Sequence, residues 1–158
     1  MKLLNVIIFG LVALIGTPVF AQDKTADTNM QILIEKVKAD KKLVVAANMD
    51  LTELEGKAFW PIYEAYQKDL QAINGRLAKT ILAYAEAYNA KTLTNTQALQ
   101  LSSEALAIDQ DEVALRKTYA ARLGKAIPGT KVARYLQIEN KIRAAIRYDL
   151  ATGIPLVP

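Results

Sequence analysis

From Leu54 to Tyr88 apolar side chains recur at steps of three and four residues: Leu54, Ala58, Ile62, Tyr66, Leu70, Ile73, Leu77, Ile81, Tyr84 and Tyr88. That period places them along one side of an α-helix, and no strand keeps it. The ends agree. Thr52-Glu53-Leu54-Glu55 has the form of a capping box, with Leu51 before the cap, and Asn89 to Thr92 reads as a turn. A helix over that span is about 50–55 Å long at 1.5 Å per residue. A compact domain of comparable chain length is only about 37 Å across. The chain is therefore expected to be elongated. Pro61 lies inside the row, where its missing N–H and its ring predict a kink near Lys57 to Pro61; the period resumes at once, so no stop is expected.

The rest of the chain repeats the pattern. Gln22 to Asn29 is polar and unperiodic, and a first helix is expected from Met30 to Ala47. Leu93, Thr94 and Gln97 form a second capping motif, opening a helix that runs to about Ile127 before Pro128 and Gly129. Along it Leu99, Leu106, Val113, Ala120 and Ile127 recur every seven residues, while Leu101, Ile108, Leu115 and Tyr119 widen the apolar sector to about half the circumference. Thr130 is expected to cap a last helix, Lys131 to Ala151, with Gly153 as its terminating residue and residues 153–158 as an extended tail. Hairpin signals are lacking. The expectation is an all-α domain over residues 30–152: an elongated antiparallel helical hairpin with flanking helices, about four in all. So thin a hairpin exposes more apolar surface than its own layer covers, which predicts a homodimer.

The first 21 residues read as a secretory signal peptide. Lys2 supplies the positive start, Leu3 to Ile15 an apolar run too short for a comfortable span, and Val19-Phe20-Ala21 the cleavage site. Cleavage after Ala21 leaves no integral membrane segment and predicts export, with the periplasm as destination. The chain has no Cys and no His. A disulfide framework, a thiolate or imidazole metal site and a Ser-His-Asp triad are all excluded. Nor is there a phosphate-binding glycine loop. The sequence therefore predicts a protein that is not an enzyme and takes no cofactor and no metal.

Three features invite a functional reading. The densest aromatic run is Phe59, Trp60 and Tyr63, with Tyr66 one turn on. Such residues either contact unfolded chains at the surface or pack the helix against its neighbours. Charge is uneven as well. Gln22 to Glu112 sums to −4, whereas Val113 to Pro158 sums to +7. Arg122, Lys125, Arg134, Lys141, Arg143 and Arg147 belong to that basic half, and either steer acidic partners or form a solvated face. Nucleic acid is not an expected partner of an exported protein. Thirdly, Asp109, Asp111 and Glu112 form a carboxylate group inside a helix, without the loop spacing of a calcium site. Glu112 is four residues from Arg116, and an interhelical salt bridge fixing the hairpin register is expected here.

The two capping motifs carry a resemblance. Leu93-Thr94-Asn95-Thr96-Gln97 is a literal LTxxQ motif, and Leu51-Thr52-Glu53-Leu54-Glu55 is its LTxxE counterpart one helix earlier. With the export signal and the helical architecture, the chain resembles the Spy/CpxP-like periplasmic stress proteins. That resemblance implies a cradle-shaped helical dimer that holds unfolded or misfolded clients without ATP. It equally implies an adaptor docking on the periplasmic domain of a membrane sensor; a purely structural envelope role is a further alternative. Metal-responsive relatives use His, Cys or Met ligands, and only Met30 and Met49 follow the cleavage site. Leu51, Thr52, Glu55, Leu93, Thr94 and Gln97 are assigned a capping role and no binding chemistry.

Overall fold

The computed structural model describes residues 40–158. The expected signal peptide, the polar leader and the start of the first helix lie outside the described residues. The fold is all-α, with four helices and no strand among the described residues. They are α1 (40–49), α2 (Glu53–Ala90), α3 (Asn95–Gly124) and α4 (Gly129–Gly153). α2 has 38 residues and α3 has 30, about 57 and 45 Å respectively. The pairs Tyr119–Asp69 and Arg76–Glu104 set α3 antiparallel to α2. Gln67–Tyr135 and Tyr84–Pro155 set α4 and the segment after it parallel to α2. Lys41–Gln67 and Lys131–Asp50 turn α1 the opposite way. The helices thus run up and down in turn.

α2 passes through Pro61 without interruption. Several ends differ from the sequence expectation. α1 continues to Met49, two residues beyond Ala47, where Asp50 takes a positive φ of 49° and the Lys131 ammonium bonds the Met49 and Asp50 carbonyls. α3 stops at Gly124 rather than Ile127, because the Ala126 and Ile127 amides both turn back to the Leu123 carbonyl ahead of Pro128. α4 starts at Gly129, so Thr130 is not its cap; the Pro128 carbonyl instead accepts from the Lys131 and Val132 amides. Gly153 stays helical, and the helix ends on extended Ile154 (φ −87°, ψ 117°). The α2–α3 turn closes on Lys91 at φ 56°: its amide bonds the Tyr88 carbonyl at 3.1 Å, and the Thr92 amide bonds Ala87 at 2.9 Å. This is a Schellman closure without glycine.

The core lies toward the start of α2. Val45 and Met49 from α1, Phe59, Tyr63, Tyr66 and Leu70 from α2, Tyr119 and Leu123 from α3, and Val132 and Tyr135 from α4 form one buried cluster. Aromatic rings run through it. Tyr135 meets Phe59 edge to face at 5.1 Å and Tyr66 at 6.1 Å, and Tyr66 meets Tyr119 at 5.4 Å. Each such pair contributes about 0.5–1.5 kcal/mol beyond area burial. A smaller cluster (Leu77, Ile108 and Leu150, with Ile73, Ile81 and Ile154 against it) sits further along, where α4 ends.

The sevenfold row on α3 behaves differently from the expectation. Leu99, Leu106 and Val113 are 73%, 71% and 41% exposed, whereas Ile108, Tyr119 and Leu123 are buried. Leu99 and Leu101 are two residues apart and point about 200° apart on a helix, so their rows cannot face the same neighbours. α2 and α4 take the Ile108 side. Leu99, Leu106 and Val113 face outward, while the last members of their row, Ala120 and Ile127, join the main core. Leu54, first in the α2 row, is likewise exposed.

Burial holds the Tyr63, Tyr66 and Tyr135 phenols well above their ordinary range, with the Glu139 carboxylate adding to it. Below about pH 10 these phenols are neutral in both folded and unfolded chains. Above it the unfolded chain loses their protons first, so stability falls by about 1.4 kcal/mol per pH unit for each. Denaturant midpoints at pH 9 and 11 should therefore diverge steeply. Tyr135→Phe should flatten that fall by one tyrosine's share; an equal slope in the variant would contradict the assignment.

Candidate functional site

The sequence motifs resolve first. At the start of α2 both halves of the capping box form. The Thr52 amide donates to Glu55 Oε2 at 2.8 Å, and the Glu55 amide donates to Thr52 Oγ1 at 3.3 Å. Leu51 packs against the main core. At the start of α3 only one half forms: the Gln97 amide donates to Thr94 Oγ1 at 3.2 Å, with no return bond from the Gln97 side chain. Leu93 beside it is half-buried. The second motif is thus a simple cap, not a full box.

The aromatic run divides. Phe59 and Tyr63 are 0% and 2% exposed and belong to the core, so neither is a contact surface. Trp60 is half-buried on the rim, with the Lys42 ammonium 5.3 Å above its ring. Together with Ala46, Leu51, Thr52, Gly56 and Lys57 it lines an open groove of about 610 Å³. A Cβ at Gly56 would lie 3.7 Å from the indole Nε1, an ordinary van der Waals contact, so the groove does not depend on glycine there.

The basic residues divide too. Glu112 is buried on α3, and its partners come from α4: Arg147 Nη2 at 3.3 Å and Arg143 Nε at 3.5 Å. Arg147 also bonds Asp109. These bridges join α3 to α4, whereas the sequence predicts a bridge fixing the α2–α3 hairpin; Arg76 with Asp111 makes that link, and Arg116 is in neither, its Nε buried without a hydrogen-bond partner. Arg143 and Arg147 are therefore committed to holding α3 against α4 and are not a free binding face. Arg122 lies over the Tyr119 ring at 4.6 Å. Lys125, Arg134 and Lys141 are exposed and form no ion pair among the described residues.

Sequence reading missed the most buried polar site. Glu139 is 5% exposed in the middle of α4. Its Oε2 accepts from Lys41 Nζ at 2.9 Å, and its Oε1 from Gln67 Nε2 at 3.0 Å. Lys41 also donates to Gln67 Oε1 at 2.9 Å, and Gln67 Nε2 reaches the Tyr135 hydroxyl at 3.3 Å. One carboxylate thus ties α1, α2 and α4 together. Its signal was present: Glu139 follows Tyr135 by one turn and precedes Ile142 on the apolar side of α4. Asp69, an exposed carboxylate that accepts from the Tyr119 hydroxyl at 2.6 Å, was missed as well.

Among the described residues no group of three or more carboxylates is placed to hold a metal ion, and no helix is long and apolar enough to cross a membrane. Compared with protein-family models, with curated proteins and with solved structures, the chain matches none.

The division of the basic residues is testable. Arg143→Glu places a second carboxylate beside buried Glu112 and should cost about 2 kcal/mol, below the roughly 3–5 kcal/mol of a fully broken buried pair because Arg147 still holds Glu112. Arg134→Glu and Lys141→Glu should stay within about 0.5 kcal/mol of the parent. Urea midpoints compare the three. Equal effects at all of them would contradict the pairing.

Proposed function

We propose that this chain is an exported, ATP-independent helical protein of the periplasm that binds unfolded or misfolded polypeptides, in the manner of the Spy/CpxP-like proteins it resembles. One observation carries the reading: the exposed row Leu99, Leu106 and Val113 on α3. Successive members are seven residues apart, so the row extends about 21 Å along the helix. Scattered exposed aliphatics are ordinary, but an aligned row on a long helix is a strip on which extended apolar segments can lie. The strip is uncharged along its crest, where Ser103 and Gln110 alternate with the aliphatics. Exposed Lys125, Arg134 and Lys141 add positive charge to the C-terminal part of the chain, which favours acidic clients at low salt.

The homodimer belongs to the same proposal. It is supported by a separate exposed apolar set, Leu43 and Val44 on α1 and Leu54 on α2. The non-enzymatic character rests on composition: without His or Cys the common nucleophile–base pairs cannot be built.

The test is suppression of light scattering from an aggregating model client, with the chain at stoichiometric amounts. Suppression should extend to unrelated clients and weaken several-fold in Leu99→Asp/Leu106→Asp, whose fold should persist because both side chains are exposed. Sedimentation velocity of the same samples reads the assembly, and a compact monomer would remove the dimer from the proposal. Absence of suppression at every ratio, with tight binding to a single membrane sensor domain, would instead establish the adaptor.

A further inference from the structure

Beyond the end of α4 the chain continues against α2 as an extended segment. Ile154 packs on the cluster of Leu77, Ile108 and Leu150, beside Ile73 and Ile81. The Tyr84 hydroxyl donates to the Pro155 carbonyl at 2.9 Å. Ile73, Leu77, Ile81 and Tyr84 follow one another at steps of four, four and three, so they form one apolar row along α2. The segment meets this row at two places, the Leu77 cluster through Ile154 and Tyr84 through the Pro155 carbonyl, and α3 and α4 share the cover over Leu77 through Ile108 and Leu150.

The segment's own grip is slight. Leu156 and Val157 are 90% and 58% exposed and contribute little to it. What holds is one half-buried isoleucine and one phenol-to-carbonyl bond. Burial and the neighbouring Tyr88 hold the Tyr84 phenol above its usual range, so it remains a donor at neutral and mildly alkaline pH. Pro155 supplies no N–H and fixes its own φ, so the segment is extended before it docks and loses little conformational freedom on docking. The row therefore selects by chemistry that any extended chain can offer: a β-branched aliphatic side chain for the Leu77–Ile81 surface, followed by a main-chain carbonyl for Tyr84.

We propose that this row on α2 is a binding site for extended, apolar polypeptide segments, and that residues 154–158 occupy it as a displaceable stand-in for such a segment. This deepens the client-binding reading and rests on it. The weak grip of residues 154–158 makes the site available by mass action. A competing segment binds with its intrinsic affinity reduced by the fraction of molecules in which the site is open.

The experiment uses the full chain and a fluorescently labelled peptide of sequence Gly-Ile-Pro-Leu-Val-Pro, read by anisotropy. Ile154→Asp releases the resident segment and should raise apparent peptide affinity on the order of tenfold over the parent chain. Adding Tyr84→Phe to that variant removes the donor and keeps the ring, and should lower affinity about fivefold. If Ile154→Asp loses helicity, Ile154→Ala takes its place with the same direction expected. Equal affinity in parent and release variant would overturn the proposal, as would indifference to Tyr84→Phe. No peptide binding by either chain, with client aggregation still suppressed, would move the site elsewhere and leave the client-binding reading intact. Failure of both assays would end both.

Discussion

A carboxylate withdrawn from water organises the molecule. Glu139 sits among rings and aliphatic side chains, where an unpaired charge would cost several kcal/mol. Lys41 and Gln67 satisfy it from two other helices, and Gln67 in turn reaches the Tyr135 hydroxyl. Apolar contact is non-directional and would tolerate a slide of one helix along another. These hydrogen bonds would not: moving α4 by one turn along α2 carries Glu139 about 5.4 Å from its partners. The register of α1, α2 and α4 is thereby set at one point. Glu112 with Arg143 and Arg147 repeats the device between α3 and α4.

The polar cluster lies among the buried aromatics, so its consequences are uneven along the fold. Around Phe59, Tyr66, Tyr119 and Tyr135 four helices converge and the rings interlock. Beyond Leu150 the described structure thins to α2, α3 and the extended segment after α4, with a second cluster built mainly of aliphatics. Exposed apolar side chains occur at both ends: Leu43, Val44 and Leu54 beside the main core, and Leu99 and Leu106 on α3 away from it.

Much of this was legible in residue spacing. The row from Leu54 to Tyr88 located α2 to within a residue at each end, because periodicity, a capping box and a turn all agreed there. The Thr94 cap was legible for the same local reasons. What spacing cannot supply is which neighbour a helix face meets. α3 carries apolar residues over half its circumference, and only packing decides that Ile108 goes in and Leu106 stays out. Glu112 had a partner in reach on its own helix, yet two arginines on α4 bind it. Phe59 and Trp60 are adjacent in sequence but lie on the core and the rim respectively. Residues such as Gln67 and Glu139 are polar, and their burial follows from partners 72 positions apart.

Amide hydrogen exchange on the folded chain tests the unevenness most directly. If the polar cluster and its aromatic surroundings form the stable end, amides from Tyr63 to Leu70 and from Tyr135 to Glu139 exchange only through global unfolding. Those near Tyr84 to Tyr88 and Leu99 to Leu101 then exchange through smaller openings, at free energies lower by roughly 2 kcal/mol or more. Uniform protection along α2 from Tyr63 through Tyr88 would contradict the division, and with it the idea that Glu139 anchors one end more firmly than the other.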